Sequence, residues 1–243
     1  MPIGIIINVL SVFIGGIVGT FAGKRFSNDF KLKLTLVFGV CAMGMGISAI
    51  GLMTYMPAVI LSVVLGTALG LRMKLGNWIH KGAVQMQKPI TQLFEGHHSD
   101  LSHEDFMGTL VTVIVLFCAS STGIYGSIDA GMTGDNTILI SKSILDFFTA
   151  AIFACNLGWV VSFIAVPQLI IFGALSLSAQ LIYPLTTPDM ILNFKACGGF
   201  LLIATGFRMA NIKDFPIADM IPAMVLIMPI TWLWTDYIMP LLG

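Results

Sequence analysis

Eight long apolar runs constrain this chain more than any other feature. Each run has roughly 20 residues, which is the length an α-helix needs to cross the hydrocarbon core of a bilayer. With 57% hydrophobic and 10% charged residues, the chain has too little polar surface for a soluble fold. The sequence therefore predicts an all-α, polytopic transmembrane helical bundle with spans at 3–23, 34–54, 57–75, 107–128, 143–164, 167–185, 191–210 and 216–238.

The basic residues predict how these spans are oriented. Cytoplasmic loops of membrane proteins retain Lys and Arg, whereas short exported loops avoid them. If both termini are extracytoplasmic, ten of the twelve basic residues fall on the cytoplasmic side, and only Lys142 and Lys195 fall outside. A miscounted span would scatter the charges over both faces. We therefore expect eight spans, with the N- and C-termini both outside the cytoplasm.

Residues 33–71 and 142–181 share one layout, in which a Lys opens an apolar run, a Pro follows 24 or 25 residues later, and a second apolar run comes next. An odd number of spans separates the two copies, so they run in opposite directions, as in many secondary transporters that bind substrate at the repeat interface. Chance resemblance among apolar helices is the alternative. The predicted organisation is one transmembrane domain, 1–243, with repeat unit one at 1–76, a cytoplasmic loop with an amphipathic interfacial helix at 77–105, inverted repeat unit two at 106–186 and a C-terminal helix pair at 187–243.

The polar segment from 72 to 105 is the longest break between apolar runs. Its apolar residues recur at helical spacing, which predicts a short helix on the cytoplasmic surface, interrupted at Pro89, with an apolar face of Ile79, Ala83, Met86, Ile90 and Leu93. Residues 95–105 then combine three histidines with four carboxylates. This stretch is either a solvated loop or a divalent metal site at His97, Asp100, His103 and Glu104.

Asp146 is the one carboxylate clearly inside a predicted span, about one turn from the outer end of the fifth. Ionisable groups at membrane depth are candidates for function. Lys142 lies four residues earlier on the same helix face, so the two form either a surface ion pair or a coupling site at an outer vestibule.

Further polar candidates lie in the first, fourth and fifth spans. The consecutive hydroxyls of the fourth span point around the helix, so some face another helix or a cavity. The predicted substrate-binding residues are Gly15, Gly16, Ser120, Ser121, Thr122, Asp146 and Asn156. Three other buried polar candidates, which we expect to be structural, are Asn8, Gln168 and Thr205.

Known motifs for covalent chemistry are missing from the sequence. It has no nucleophile elbow, no GxxxxGK[ST] phosphate loop and no His pair at ligand spacing within a span. The four cysteines are scattered through apolar runs, and no basic block with aromatic residues suggests nucleic-acid binding. We expect no enzyme activity, no cofactor and no resident metal. The expected partners are the lipid bilayer, an unidentified small molecule or ion, and a further copy of the chain if it oligomerises.

Several segments resemble the bacterial inner-membrane family known as DUF554 (domain of unknown function 554). They are Gly126-Ser-Ile-Asp-Ala-Gly-Met-Thr-Gly-Asp-Asn136, Lys142-Ser-Ile-Leu-Asp146 and Cys197-Gly-Gly-Phe-Leu-Leu-Ile-Ala-Thr-Gly206. The resemblance extends along essentially the whole chain. It implies a multi-pass protein of the bacterial plasma membrane and names no substrate.

These observations support three hypotheses about function. The first is a small-solute or ion secondary transporter, or permease, with its site at the inverted-repeat interface. The second is a non-transporting membrane scaffold or sensor that acts through the cytoplasmic loop 72–105. The third is an oligomeric channel.

Overall fold

The computed structural model describes residues 2–22, 27–92 and 103–242, and all regular elements in this part of the chain are helical. Eight of its helical segments are long and apolar enough to cross a membrane. They confirm the predicted all-α, polytopic fold and its count of eight spans. In order, the spans are Ile3–Phe21, Asp29–Ile50, Met56–Met73, Phe106–Thr133, Thr137–Leu157, Val160–Leu185, Pro188–Met209 and Ile217–Leu241.

Some spans are single helices and others are interrupted. The long helices are α1 (Ile3–Ala22), α2 (Asn28–Ile50), α3 (Met56–Met73), α4 (Leu75–Gln92), α5 (His103–Cys118), α6 (Ser121–Thr133), α7 (Thr137–Leu157), α9 (Ala165–Ile182), α10 (Pro188–Met209) and α12 (Pro222–Leu233). Between and after them lie the short helices α8 (Val160–Phe163), α11 (Ile217–Met220) and α13 (Met239–Leu242), a 3₁₀ turn at Tyr183–Leu185 and a π-helical turn at Trp234–Ile238. The fourth span thus consists of two helices, α5 and α6.

The boundary between the fifth and sixth spans differs from the prediction. We expected the fifth span to cover 143–164 and Pro167 to separate it from the sixth, but α7 covers Thr137–Leu157 and ends at Gly158. Gly158 has a φ of 71°, which a glycine adopts without the steric cost that a Cβ would add. Pro167 instead lies in the first turn of α9. A proline is tolerated there because the backbone N–H groups of a first turn make no hydrogen bond within the helix.

Helix α4 occupies part of the 72–105 segment, while its predicted location at the cytoplasmic membrane surface stays a prediction. Ala83 and Ile90 are buried in the core cluster that also contains residues of α5, and the side-chain Nε2 of the buried Gln87 donates to the backbone oxygen of Met107 on α5 at 2.9 Å. Pro89 lies inside this helix without ending it. The helix therefore has one packed face, while Trp78 and Lys81 lie on the exposed side.

The chain forms two compact units. Unit 1 consists of Met1–Thr35 and Asn77–Gln180, and unit 2 of Leu36–Gly76 and Leu181–Gly243. Each unit draws on distant parts of the sequence, so the units do not coincide with the predicted repeat units, and the repeat itself stays a prediction.

Helix packing in unit 1 centres on α1 and α7. The two helices approach so closely that a Cβ on Gly19 would lie 2.1 Å from the backbone oxygen of Ala151. The side-chain oxygen of Asn136, which precedes α7, accepts a hydrogen bond from Gly4 N at 2.9 Å. Small residues and this Asn136–Gly4 hydrogen bond place the middle of α1 directly against the middle of α7.

Unit 2 is held by the side chain of Asn193 on α10, which is fully buried. Its Oδ1 accepts hydrogen bonds from Thr54 N at 2.9 Å and Tyr55 N at 3.0 Å, the two residues that precede α3. Its Nδ2 donates to Thr231 Oγ1 of α12 at 3.2 Å. One amide thus ties three spans of this unit together.

Candidate functional site

A buried ion pair lies midway along α7, in unit 1. Lys142 Nζ contacts Asp146 Oδ2, and the two side chains are 4% and 10% exposed. The sequence indicated that Asp146 lies one turn from the end of its span. Because α7 begins at Thr137, six residues earlier than predicted, Asp146 is instead near the centre of the helix. Ordinary ion pairs between residues four apart lie on the helix surface; this one is enclosed.

Two buried amides connect the ion pair to other helices of unit 1. Asn8 Nδ2 of α1 donates to Asp146 Oδ2 at 2.8 Å, and Gln168 Nε2 of α9 donates to Asn8 Oδ1 at 2.9 Å. The same Gln168 nitrogen also lies 3.5 Å from the backbone oxygen of Phe117, near the end of α5. We call Asn8, Lys142, Asp146, Gln168 and the Phe117 carbonyl the polar network.

Hydrogen-bond chemistry sets the direction of the polar network. An ionised carboxylate only accepts hydrogen bonds, so Asn8 must turn its NH₂ group toward Asp146 and its oxygen toward Gln168. Gln168 must then present its own NH₂ group to Asn8. Its Oε1 consequently points elsewhere, and this buried atom has no hydrogen-bond partner among the described residues.

The fourth span breaks next to the polar network. Helix α5 ends at Cys118, and α6 starts at Ser121 with Ser120 as its N-cap; the Ser120 hydroxyl accepts from Gly123 N at 3.2 Å. The last carbonyls of a helix have no intrahelical donors, and the Phe117 carbonyl receives Gln168 instead. The Lys142 ammonium lies 5.9 Å from the centre of the Phe117 ring.

The predicted hydroxyl run therefore marks a helix break. Ser121 and Thr122 are both buried in the first turn of α6. The Ser120 hydroxyl serves the helix itself, because it satisfies a backbone N–H that would otherwise be unpaired.

The other predicted site residues are not members of the polar network. Gly15 packs against the backbone of Phe147, and Gly16 packs against Ser162, whose hydroxyl donates to Phe13 O at 3.0 Å. These contacts leave no room at either glycine for a side chain. Asn156 lies in the last turn of α7 with an exposed side chain.

The predicted site set omitted three of the four side chains of the polar network: Asn8, Lys142 and Gln168. All three carried a sequence signal, because each is a polar residue inside or at the edge of an apolar run. Nothing in the sequence indicated that Asn8 and Gln168, 160 positions apart, would bond to each other.

The suggested metal site in residues 95–105 cannot be placed. His97 and Asp100 lie outside the described residues. His103 and Glu104 start α5, but their side chains also fall outside the description. The metal site therefore stays a prediction.

Within the described residues, eight apolar spans and the charged and amide side chains buried in them define a polytopic membrane protein. The chain belongs to the DUF554 family, whose profile, described as "Protein of unknown function (DUF554)", matches residues 3–232. It is 43% identical to the uncharacterized protein YqgA of Escherichia coli K12 over 237 residues, which cover 98% of this chain and 99% of that protein. It is 27% identical to the uncharacterized membrane protein YdfK of Bacillus subtilis 168 over 230 residues, which cover 92% and 93%. No solved structure matches the chain significantly.

Proposed function

We propose that this protein is a secondary transporter or permease for a small solute or ion, and that the polar network is its binding site. One observation carries the proposal: a Lys–Asp pair and two amides are enclosed inside spans, beside a broken helix. Charged side chains within spans commonly mark substrate or ion pathways. Broken helices expose backbone groups that bind ions and substrates in transporters.

A purely structural role explains the presence of the buried Lys142–Asp146 pair less well than a functional one. Removing two charges from water costs several kcal/mol, and well-packed apolar residues of similar volume often stabilise a fold as much or more. The pair in α7 is almost completely buried. Its presence therefore favours a role that needs charge, such as binding or coupling.

Matching positions in the helices support an inverted repeat of spans one to three and four to six. Lys33 and Lys142 are each the sixth residue of their helix, α2 and α7. Pro57 and Pro167 each lie in the first turn of the next long helix, α3 and α9, and these helices have 18 residues each. An experimental structure in lipid tests the repeat, because it requires a pseudo-two-fold axis in the membrane plane. Copies related by any other axis contradict it.

We also propose a location in the bacterial inner membrane, with both termini outside the cytoplasm. The support is the distribution of basic residues, ten of which then lie on the cytoplasmic side. Single cysteines test the orientation in a background whose four native cysteines are replaced. An impermeant maleimide should label Asp135→Cys in cells with a permeable outer membrane, and Lys81→Cys only after lysis. The reverse pattern contradicts the orientation.

A liposome uptake screen over ions and small metabolites tests the transport proposal. The wild-type protein should accumulate at least one solute, and Asp146→Asn should lose that uptake. Asp29→Asn is the matched control, because Asp29 and Lys33 form an exposed ion pair with the same four-residue spacing. Uptake that is unchanged in Asp146→Asn would remove the site. Failure of the wild type with every solute would favour the scaffold or sensor.

A further inference from the structure

One end of unit 2 carries an excess of basic side chains. The unit contains five basic residues, and four of them lie at or just beyond the C-terminal ends of the third and seventh spans: Arg72, Lys74, Arg208 and Lys213. All four residues are exposed. We call this group of four residues the basic end.

Contacts of Asp219 place these two span ends at the same end of unit 2. Asp219 follows the loop 210–216 that leaves α10, and its backbone oxygen would lie 2.0 Å from a Cβ on Gly70. Its Oδ1 accepts a hydrogen bond from Gly76 N at 2.9 Å. The first two residues of the basic end lie in the chain between these two glycines. The loop after α10 therefore leads directly to the end of α3.

The acidic residues at this end offset only part of the positive charge. Arg208 Nε lies 3.3 Å from Asp214 Oδ1. Asp219 directs its carboxylate to a backbone N–H. The other three members of the basic end form no ion pair with a described residue. This end of the unit therefore has a surplus of positive charge that is available to a partner.

Lys74 occupies a backbone conformation that favours glycine. It caps the C-terminus of α3 with a φ of 54° and a ψ of 45°, in the left-handed region. A Cβ makes this region costly, so glycine usually fills such a position and asparagine sometimes does, as Asn211 does after α10. A cation near a helix C-terminus is favourable, but Arg72 in the last turn already supplies one. Helix stability thus gives little reason for a lysine at position 74, whereas binding of an anion does.

Exposed apolar side chains accompany the basic end. Leu71, Met73 and Ile212 are its neighbours in the chain and are 51%, 54% and 59% exposed. Lys and Arg side chains lay their apolar stems along such a surface while their charged groups reach into the polar layer. The combination fits the boundary between the hydrocarbon core and the headgroups of a bilayer.

Charge and position together favour an anionic phospholipid as the partner. The third and seventh spans end here, at Met73 and Met209, so lipid headgroups lie at this depth. A free phosphate ion would use the charges but leave the apolar side chains in water. A zwitterionic lipid would cover the apolar side chains but bring no net negative charge.

We propose that the basic end binds the headgroup phosphate of an anionic phospholipid, held by the charges of Arg72, Lys74 and Lys213. The inference goes beyond the proposed transport function, because the polar network belongs to unit 1 and the basic end to unit 2. Each basic group near an anionic headgroup should raise the affinity about fivefold.

Native mass spectrometry of the purified full-length protein tests the inference. The protein in nonionic detergent is titrated with dioleoyl phosphatidylglycerol, or with dioleoyl phosphatidylcholine, which has the same acyl chains and no net charge. The first phosphatidylglycerol should bind at least about tenfold more tightly. Equal binding of the two lipids overturns the inference. Displacement of phosphatidylglycerol by an equal concentration of inorganic phosphate also overturns it, because the site would then recognise free phosphate.

Lys74→Gly separates lipid binding from folding. It removes the charge and also relieves the left-handed backbone, so the affinity for phosphatidylglycerol should fall about fivefold while the thermal midpoint stays equal or rises. Lys33→Gln changes the net charge by the same amount in unit 1 and should alter the affinity by less than about twofold, since distant charges are screened. Unchanged affinity in Lys74→Gly, or an equal loss in Lys33→Gln, contradicts a site at the basic end.

A triple variant removes all three proposed contacts. Arg72→Gln, Lys74→Gly and Lys213→Gln together should lower the affinity for phosphatidylglycerol by on the order of 100-fold. Binding of phosphatidylcholine should stay as in the wild type, which shows that the variant is folded. A wild-type preference for phosphatidylglycerol in the triple variant overturns the inference.

Discussion

Breaking the Lys142–Asp146 pair should destabilise the protein far more than breaking its exposed counterpart, Asp29–Lys33. Both pairs have the same four-residue spacing on a helix. Their side chains differ in exposure, at 4% and 10% in the buried pair and 72% and 74% in the exposed pair. Removing one partner of a buried pair costs about 3–5 kcal/mol, because the other charge stays buried and uncompensated. An exposed pair of this spacing is worth about 0.3–0.5 kcal/mol.

A double-mutant cycle separates the pair from its surroundings. Asp146→Leu and Lys142→Met should each lower the free energy of unfolding by about 3–5 kcal/mol. The double variant should lose about 1–3 kcal/mol, since the Asn8 amide then lacks its acceptor but no charge is buried alone. The interaction energy is therefore at least about 3 kcal/mol.

Reversible unfolding in SDS–detergent mixtures, followed by tryptophan fluorescence, measures all four corners of the cycle. The same cycle with Asp29→Leu and Lys33→Met is the control. An interaction energy below about 1 kcal/mol for the buried pair, close to the control, would refute the argument that burial makes this pair strong.

Three further predictions concern helix packing, helix capping and the buried amide of unit 2. Gly19→Ala places a Cβ 2.1 Å from a backbone oxygen of α7 and should lower the free energy of unfolding by about 1–3 kcal/mol. The control is Gly44→Ala, whose Cβ would meet no other atom within 4 Å and which should be neutral or stabilising in the same unfolding assay. Ser120→Ala should lower the free energy of unfolding by about 1 kcal/mol and speed amide hydrogen exchange at the start of α6, whereas Ser120→Thr should keep the wild-type stability and exchange rate. Equal exchange in all three proteins would contradict the N-cap role. Asn193→Ala leaves two backbone N–H groups unpaired and should lower the free energy of unfolding by at least about 2 kcal/mol, measured as a lower thermal midpoint; an unchanged midpoint would contradict the role of this amide.

Span number was predictable from hydropathy, but some span ends were not. Pro167 suggested the break between the fifth and sixth spans, and Gly158 forms it. A proline is tolerated in the first turn of a helix, so its position does not by itself indicate an end. The need for a positive φ at Gly158 depends on the direction in which the next helix leaves, which is decided by packing.

The candidate site was partly predictable. Asp146 stood out because a carboxylate inside an apolar run is rare, and the hydroxyls from Ser120 to Thr122 marked an unusual stretch of the fourth span. The roles of these hydroxyls were harder to predict from the sequence. Whether a hydroxyl caps a helix or lines a cavity depends on a backbone interruption that the composition of the run does not reveal.

By itself, the amino-acid sequence determined that the chain is a polytopic α-helical membrane protein. Length and apolar composition decide this, since a bilayer admits only segments that satisfy their own backbone hydrogen bonds. The tertiary structure alone decided which polar side chains meet. Apolar helices surrounded by lipid have no strong hydrophobic preference for one neighbour, so close contacts at small residues and buried hydrogen bonds select the partner. Those contacts bring Asn8, Asp146 and Gln168 together from three spans, and they enclose an ion pair that helix periodicity alone would place on a surface.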